Sequence, residues 1–152
     1  MGQDATEVEL GTSLGYLLKE AASALHSAMQ AVLRPLDMTI THYSCLELLA
    51  QRPGLSNSEL ARGAFVSRQS MNVLLQSLEH DGFVSRPEVP PVGRVLPTRL
   101  TPLGRRRLSA ASAAVKLVED QMLSRLDAGE RDRLRAALST CVASLSSHAD
   151  AP

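Results

Sequence analysis

The segment LSNSELARGAFVSRQSM, residues 55–71, contains two helix starts separated by a short turn. Ser56 and Glu59 have the spacing of a capping box, in which each side chain accepts a hydrogen bond from the other's backbone N–H group. They predict a helix that begins here and ends near Gly63. Ser67 is then placed to cap a second helix. Two short helices joined by a turn of this length predict a helix-turn-helix.

The residues after the second helix predict a small β-wing. That helix carries an apolar stripe as far as His80, and Gly82 suits the left-handed residue that often ends a helix. Residues 83–86 and 95–100 then alternate between apolar and polar side chains, as half-buried strands do. Two such strands around the loop 87–94 form a wing beside the helix-turn-helix.

Long amphipathic helices are predicted on both sides of this lobe, because apolar residues recur there every three or four positions. Arg34-Pro35 ends the first, since the residue before proline leaves the helical region. Thr101-Pro102 starts another, with threonine as the cap and proline at the first helical position. These predicted helices cover about Val8–Leu33, Thr39–Gln51, Thr101–Arg125 and a last stretch from the capping box of Asp127 and Glu130 past Leu145.

The composition fits one compact helical domain. The chain has 152 residues, of which 44% are hydrophobic and only 3% aromatic, so leucine, alanine and valine must fill the core. No apolar run approaches the ~20 residues that span a bilayer, and we expect a cytoplasmic protein without a membrane partner. Cys45 and Cys141 are expected to be small buried hydrophobic residues. A redox-sensing role for Cys45 is the alternative.

The charge is distributed unevenly although the net charge is zero. Residues 52–107 contain nine arginines and four acidic residues, a net charge of +5 that the rest of the chain balances. Arginine is the residue best suited to groove and phosphate contacts. The asymmetry favours a nucleic-acid-binding face, with an ordinary solvated surface as the alternative.

The order of these elements, together with several short motifs, resembles the MarR family of bacterial transcription regulators, over about Leu10 to Leu145. The motifs are Met38-Thr39, Ser58-Glu59-Leu60-Ala61, Val66-Ser67 with Ser70, LEHDGFVSR at 78–86 and LTPLG at 100–104. The resemblance implies a mostly α fold with a small β-wing, built as one domain over residues 1–152. Its winged helix-turn-helix lobe would cover about 39–102, and its dimerisation helices about 8–36 and 103–148.

The resemblance also implies a function. A chain of this family is expected to be a homodimeric, sequence-specific DNA-binding regulator, and a ligand-responsive repressor that acts on a pseudo-palindromic operator. The sequence departs from the family pattern at two places. Val92 stands where the wing usually has an aspartate before its arginine, here Arg94, and Asn72-Val73 replaces a Thr-Arg type of pair.

The second helix of the motif is expected to place its N-terminal end in the major groove of DNA. Arginine pairs with guanine, and glutamine and asparagine pair with adenine. Serines near the helix starts can bind phosphate or only cap the helices, and the arginines of the strands can instead form surface ion pairs. The predicted DNA-binding residues are Ser56, Asn57, Ser67, Arg68, Gln69, Ser70, Asn72, Arg86 and Arg94.

Relatives bind aromatic or phenolic molecules between the dimerisation helices and the DNA-binding lobe, which implies a similar effector here. The predicted pocket residues are His26, Met29, Leu33, His42, Tyr43 and Leu46. The alternatives are a core histidine at position 26, which is the prediction from its apolar face, and a local hydrogen bond at His42.

No catalytic or metal-binding motif is found, so we expect no enzyme activity and no cofactor. A winged-helix module for protein–protein contact is the alternative function.

Overall fold

The computed structural model describes residues 7–86 and 98–149. Within those ranges the elements follow the predicted order, and a 3-10 helix, Arg34–Leu36, follows the first helix. The elements are α1 (Leu14–Leu33), α2 (Ile40–Gln51), α3 (Asn57–Gly63), α4 (Arg68–His80), β1 (Val84–Ser85), β2 (Arg99–Leu100), α5 (Pro102–Met122) and α6 (Ala128–Ala149). The chain divides into two compact units, residues 1–118 and 119–152.

The predicted N-caps are confirmed. The Ser56 hydroxyl accepts from the Glu59 N–H group at 3.2 Å, and the Glu59 carboxylate accepts from the Ser56 N–H group at 2.7 Å. Thr39 forms a second capping box that was not predicted, because its partner is a histidine. His42 Nδ1 accepts from the Thr39 N–H group at 3.2 Å, so His42 does bond locally. Burial lowers the pKa of His42, which favours the neutral ring, and the hydrogen bond from the Thr39 N–H group favours the tautomer whose Nδ1 carries no proton.

Two predicted helix boundaries were wrong. The helix predicted from Val8 begins at Leu14, because Ser13 takes the cap position and accepts from the Tyr16 N–H group at 3.2 Å. The preceding residues form a turn closed on the Glu9 carbonyl oxygen. The helix predicted to reach about Arg125 ends at Met122. The first wing strand, predicted over 83–86, covers only Val84–Ser85. Residues 95–97 of the second predicted strand lie outside the described residues, as does the loop 87–94 with Val92 and Arg94.

The core of the first unit lies where α2, α3, α4 and the first half of α5 meet the two strands. Every element contributes side chains that are less than a tenth exposed, so the helix-turn-helix and the wing share one apolar centre. The buried cluster consists of Leu33, Met38, Cys45, Leu46, Leu49, Leu60, Ala61, Met71, Leu75, Leu78, Val84, Leu100, Leu108 and Ala111. Cys45 is therefore the small buried residue that was predicted, whereas Cys141 is exposed.

The start of α5 is hydrogen-bonded to the turn after α4, and the two backbones lie very close together. The Thr101 hydroxyl donates to the Gly82 carbonyl oxygen at 2.5 Å and accepts from the Gly104 N–H group at 3.0 Å. The Thr101 N–H group donates to the Phe83 carbonyl oxygen at 3.1 Å. A Cβ atom at Gly104 would overlap that oxygen and lie 3.0 Å from its carbon. Only glycine fits there, because a backbone carbonyl cannot turn aside.

The second unit contains the end of α5, a turn and α6. The Arg131 guanidinium donates to the Leu123 and Leu126 carbonyl oxygens at 2.9 and 3.0 Å, and so provides hydrogen-bond donors for two carbonyl groups of the turn after α5. Asp127 accepts from the Glu130 N–H group at 2.8 Å and caps α6, as predicted. None of the helices in the described ranges is long and apolar enough to span a bilayer.

We expect Gly104→Ala to destabilise the protein by about 1–3 kcal/mol, since the new methyl group meets the Phe83 carbonyl oxygen rather than a side chain that can move. Chemical unfolding of both proteins measures this. Gly129→Ala is the control, because its nearest neighbour is the flexible end of Arg133 at 3.3 Å, and we expect a change within about 0.5 kcal/mol. Equal stability of the two variants would contradict the assigned close approach.

Candidate nucleic-acid interface and ligand cleft

Helix α4 has one buried and one exposed face. Met71, Leu75 and Leu78 are at most 2% exposed and hold the helix on the core. Arg68, Gln69 and Asn72 lie on the exposed face near the N-terminal end, which leaves their polar groups available to a ligand. The predicted division of α4 into a core face and a polar face therefore matches the burial of its side chains. Val73, which is 63% exposed, adds an apolar side chain to the exposed face.

The serines at the helix starts make local hydrogen bonds. The Ser67 hydroxyl accepts from the Ser70 N–H group at 3.0 Å and donates to the Ser70 hydroxyl at 2.9 Å. The Ser56 hydroxyl is engaged in its capping box. The Oδ1 atom of Asn57 is buried and has no hydrogen-bond partner in the part of the chain that the structure describes.

The arginines near the wing differ in their surroundings. Arg86 Nε lies 3.2 Å from Glu79 Oε2, and the Arg86 side chain is only 19% exposed. This ion pair connects the residue after β1 to the last turn of α4. It agrees with the alternative prediction that Arg86 forms an ion pair at the surface. Arg99 is exposed on β2. At the start of α5, the Arg107 guanidinium lies 5.9 Å from the centre of the Phe83 ring, a cation–π distance.

An open cleft lies where α1 ends and α2 begins. It has a volume of about 350 Å³ and is lined by Gln30, Arg34, Asp37, Met38, Thr39 and Ile40. Arg34 and Asp37 are exposed and give its wall one positive and one negative group. The apolar contribution comes from Met38 and Ile40. A small molecule with an apolar ring and a carboxylate would find complementary groups here.

The six predicted pocket residues flank this cleft in sequence but do not line it. Leu33 and Leu46 are fully buried in the core cluster, and Met29, His42 and Tyr43 are half-buried. The prediction of a core histidine at position 26 was wrong, because His26 is exposed on α1 in the single chain. The apolar stripe that suggested burial is itself uncovered there, with Leu14 and Leu17 at 81% and 59% exposed.

A second cleft was missed by the sequence analysis. It lies between α2, β2 and α5, has a volume of about 250 Å³, and includes Glu47 and Arg105 in its wall. Glu47 accepts from the Ser112 hydroxyl and from the Gln51 side-chain amide, both at 2.7 Å. Glu47 and Ser112 lie far apart in the chain, and neither belongs to a recognisable motif. Only the packing of α2 against α5 brings them together.

Cys45 is not placed for redox chemistry. Its side chain is fully buried, and burial raises the pKa of its thiol to about 12. Because the thiolate is the reactive form, a thiol with this pKa is inert at neutral pH. This disfavours the redox-sensing alternative.

Comparison with known proteins agrees with these features. The model of the MarR family matches residues 36–95. The HTH-type transcriptional repressor Rv2887 of Mycobacterium tuberculosis is 41% identical over 125 residues, which cover 82% of this chain and 90% of the relative. Its structure in complex with DNA superposes with a TM-score of 0.72 at 38% identity, over 86% of this chain and 98% of that chain.

The same relative has been solved with a small molecule. Its structure in complex with salicylic acid superposes with a TM-score of 0.71 at 39% identity, over 86% of this chain and 96% of that chain. Similarity of this extent, over most of both chains and in both sequence and fold, does not arise from shared architecture alone. The chain belongs to the MarR family.

Proposed function

We propose that this protein is a homodimeric transcriptional repressor that binds operator DNA through α3 and α4 and is released by a small aromatic acid. The observation that carries the proposal is the exposed polar end of α4, held by a buried apolar face on a shared core. The relative Rv2887 has been crystallised with DNA and with salicylic acid. A repressor of this kind acts on the chromosome, in the cytoplasm, and performs no catalytic step.

The N-terminal end of α4 enters the major groove in this proposal. Arg68 is placed to pair with guanine, and Gln69 and Asn72 with adenine. Serines and Asn57 at the starts of α3 and α4 approach phosphates, whose negative charge is favoured at helix N-termini. The proposed DNA contacts are Ser56, Asn57, Ser67, Arg68, Gln69, Ser70 and Asn72, with Arg94 in the wing. Arg86 is proposed to support DNA binding indirectly, through its ion pair with Glu79.

Uncovered apolar faces support the homodimer. On α1, Leu14, Leu17 and Leu18 are at least half exposed, and on α6 Val142 and Leu145 are 65% and 74% exposed. Faces of this kind mark protein interfaces when they are large and continuous. We propose dimerisation helices at about 8–36 and 103–148. A two-fold dimer would read a pseudo-palindrome whose half-site centres are ~10 bp apart.

The cleft between α1 and α2 is the proposed effector site. Its Arg34 guanidinium can pair with a carboxylate in a bidentate manner, and Met38 and Ile40 offer apolar contact to a ring. The effector would bind more tightly to the conformation that has the lower affinity for DNA. Effector binding would therefore release the operator and relieve repression.

Replacing Gln69 by alanine should weaken binding to the preferred operator by ~1–3 kcal/mol and relax the choice of one base in each half-site, because a bidentate contact to a base edge is lost. The salt dependence should be nearly unchanged. Selection from random DNA, followed by salt titration of binding, measures both effects. Gln76→Ala is the matched control: it lies on the same face of α4, about two turns farther from the groove, and should behave as wild type.

The contrasting variant is Arg94→Ala, which should weaken binding to many sequences alike and lower the salt slope by ~1 if the residue neutralises one phosphate. The proposal fails if the wild-type protein binds no DNA. It also fails if Gln69→Ala and Gln76→Ala cannot be distinguished on any sequence.

Arg86→Ala should reduce operator affinity without lowering the salt slope, because its guanidinium is already paired with Glu79 and braces β1 against α4. The loss of protein stability should be below ~1 kcal/mol, as for other partly exposed ion pairs. Salt titration of binding measures the slope, and Arg99→Ala on the paired strand is the control. A slope reduced by ~1 would show a direct phosphate contact instead.

Salicylic acid should raise the melting temperature of the protein and weaken its operator binding together, since these effects are linked. Arg34→Met should abolish both effects because it removes the partner of the carboxylate and keeps much of the apolar stem. Thermal unfolding and DNA titration with and without the acid measure them. Arg52→Met, an exposed arginine at the other end of α2, should retain both. Equal responses of the two variants would place the effector elsewhere.

A further inference from the structure

Phe65 stands in the turn between α3 and α4 with 94% of its surface exposed. The chain has only two phenylalanines, and the other, Phe83, packs against the core cluster. An aromatic side chain in water forgoes the burial that is its main contribution to stability. The position of Phe65 therefore needs another explanation.

The backbone at Phe65 is also unfavourable for this residue. Its φ is +59°, in the left-handed region where a bulky side chain is rare. The conformation is imposed by the end of α3, since the Phe65 N–H group donates to the Arg62 carbonyl oxygen and the Val66 N–H group to the Ala61 carbonyl oxygen. This is the Schellman pattern, whose left-handed residue is usually glycine.

The other left-handed positions in the described residues are occupied by residues that tolerate the conformation. They are Gly54, Gly82 and Asp37. Phe65 is the exception, and glycine at this position would end α3 with less strain. A residue that is both strained and exposed is a candidate for a functional contact.

We propose that the Phe65 ring is a DNA contact, which packs against apolar atoms of the operator at the edge of the major groove. The inference rests on the proposed DNA-binding function. Phe65 lies two residues before Ser67, the cap of α4, so it adjoins the end of the helix that enters the groove. Arg62 and Arg68, both exposed, flank it in sequence and supply the positive charge that a DNA surface attracts. The apolar atoms available are thymine methyl groups and deoxyribose carbons.

The test is Phe65→Gly, which removes the ring and the strain at once. Its melting temperature, measured at fixed protein concentration, should rise by about 2–4 °C. Its affinity for the selected operator should fall by roughly five- to tenfold, as expected for the loss of one apolar contact. A variant that is more stable and yet binds DNA less well separates a contact from a folding defect.

Two further variants sharpen the result. Phe65→Asn, which tolerates the left-handed conformation, should resemble Phe65→Gly in both measurements. Phe65→Tyr keeps the ring and should retain wild-type affinity. Replacing each operator thymine by deoxyuridine then separates the two sources of apolar atoms. If the ring contacts a thymine methyl group, deoxyuridine at one position should weaken binding by the wild type and leave binding by Phe65→Gly unchanged. If it contacts deoxyribose, no position should show this difference.

Unchanged or tighter DNA binding by Phe65→Gly overturns the inference, and the proposed function survives if Gln69→Ala still loses specificity. A change in the sedimentation of Phe65→Gly towards monomer also overturns it, because the ring would then contact a second copy of the chain. Absence of DNA binding by the wild-type protein overturns the proposed function, and this inference with it.

Discussion

The contact between Gly104 and the Phe83 carbonyl group determines how the first unit is put together. Because no side chain separates them, α5 begins directly on the turn that ends α4, and the Thr101 hydroxyl bridges both backbones. The end of α4, the first wing strand and the start of α5 are thus fixed by backbone groups. If α4 is the recognition helix, as proposed, its direction must be fixed, and this contact fixes the end of α4 that lies away from the proposed DNA-binding residues.

The N-terminal end of α4 has a different requirement. In the proposed function, the side chains there must remain exposed and polar to contact DNA, so burial cannot stabilise them. The fold compensates with local hydrogen bonds, such as the Ser67 cap. At Phe65 it accepts a strained backbone as well. The buried side chains of Met71, Leu75 and Leu78 therefore contribute most of the packing that holds α4 in place. The position of its exposed N-terminal end depends on that packing.

The parts of this structure that follow from short-range rules could be predicted from the sequence. Ser56 and Glu59 interact across three residues, so their capping box is visible in the sequence and present in the structure. The apolar stripe predicted for α4 likewise faces the core, where Met71, Leu75 and Leu78 are buried and Leu74 is half-buried. The start of α1 was misplaced because the apolar stripe continues before Ser13, and a stripe does not reveal which polar residue caps the helix.

Other features depend on packing and could not be predicted. Glu47 and Ser112 meet only because α2 lies against α5. The exposure of His26 depends on what covers the apolar face of α1, which hydrophobic spacing alone does not specify. The left-handed backbone of Phe65 arises from the way α3 ends, and phenylalanine itself gives no sign of it.

The same packing gives a physical basis for a response to an effector. The proposed effector cleft is formed by residues at the start of α2, including Thr39 and Ile40. Farther along the same helix, Leu48 presses on the end of α3, where a Cβ atom at Gly63 would lie 2.8 Å from the Leu48 Cδ1 atom. Because protein interiors are close-packed, a tilt of α2 would change this contact with α3. A ligand that favours one tilt of α2 would thereby favour one position of the helix-turn-helix, and DNA would in turn change the affinity for that ligand by the same factor.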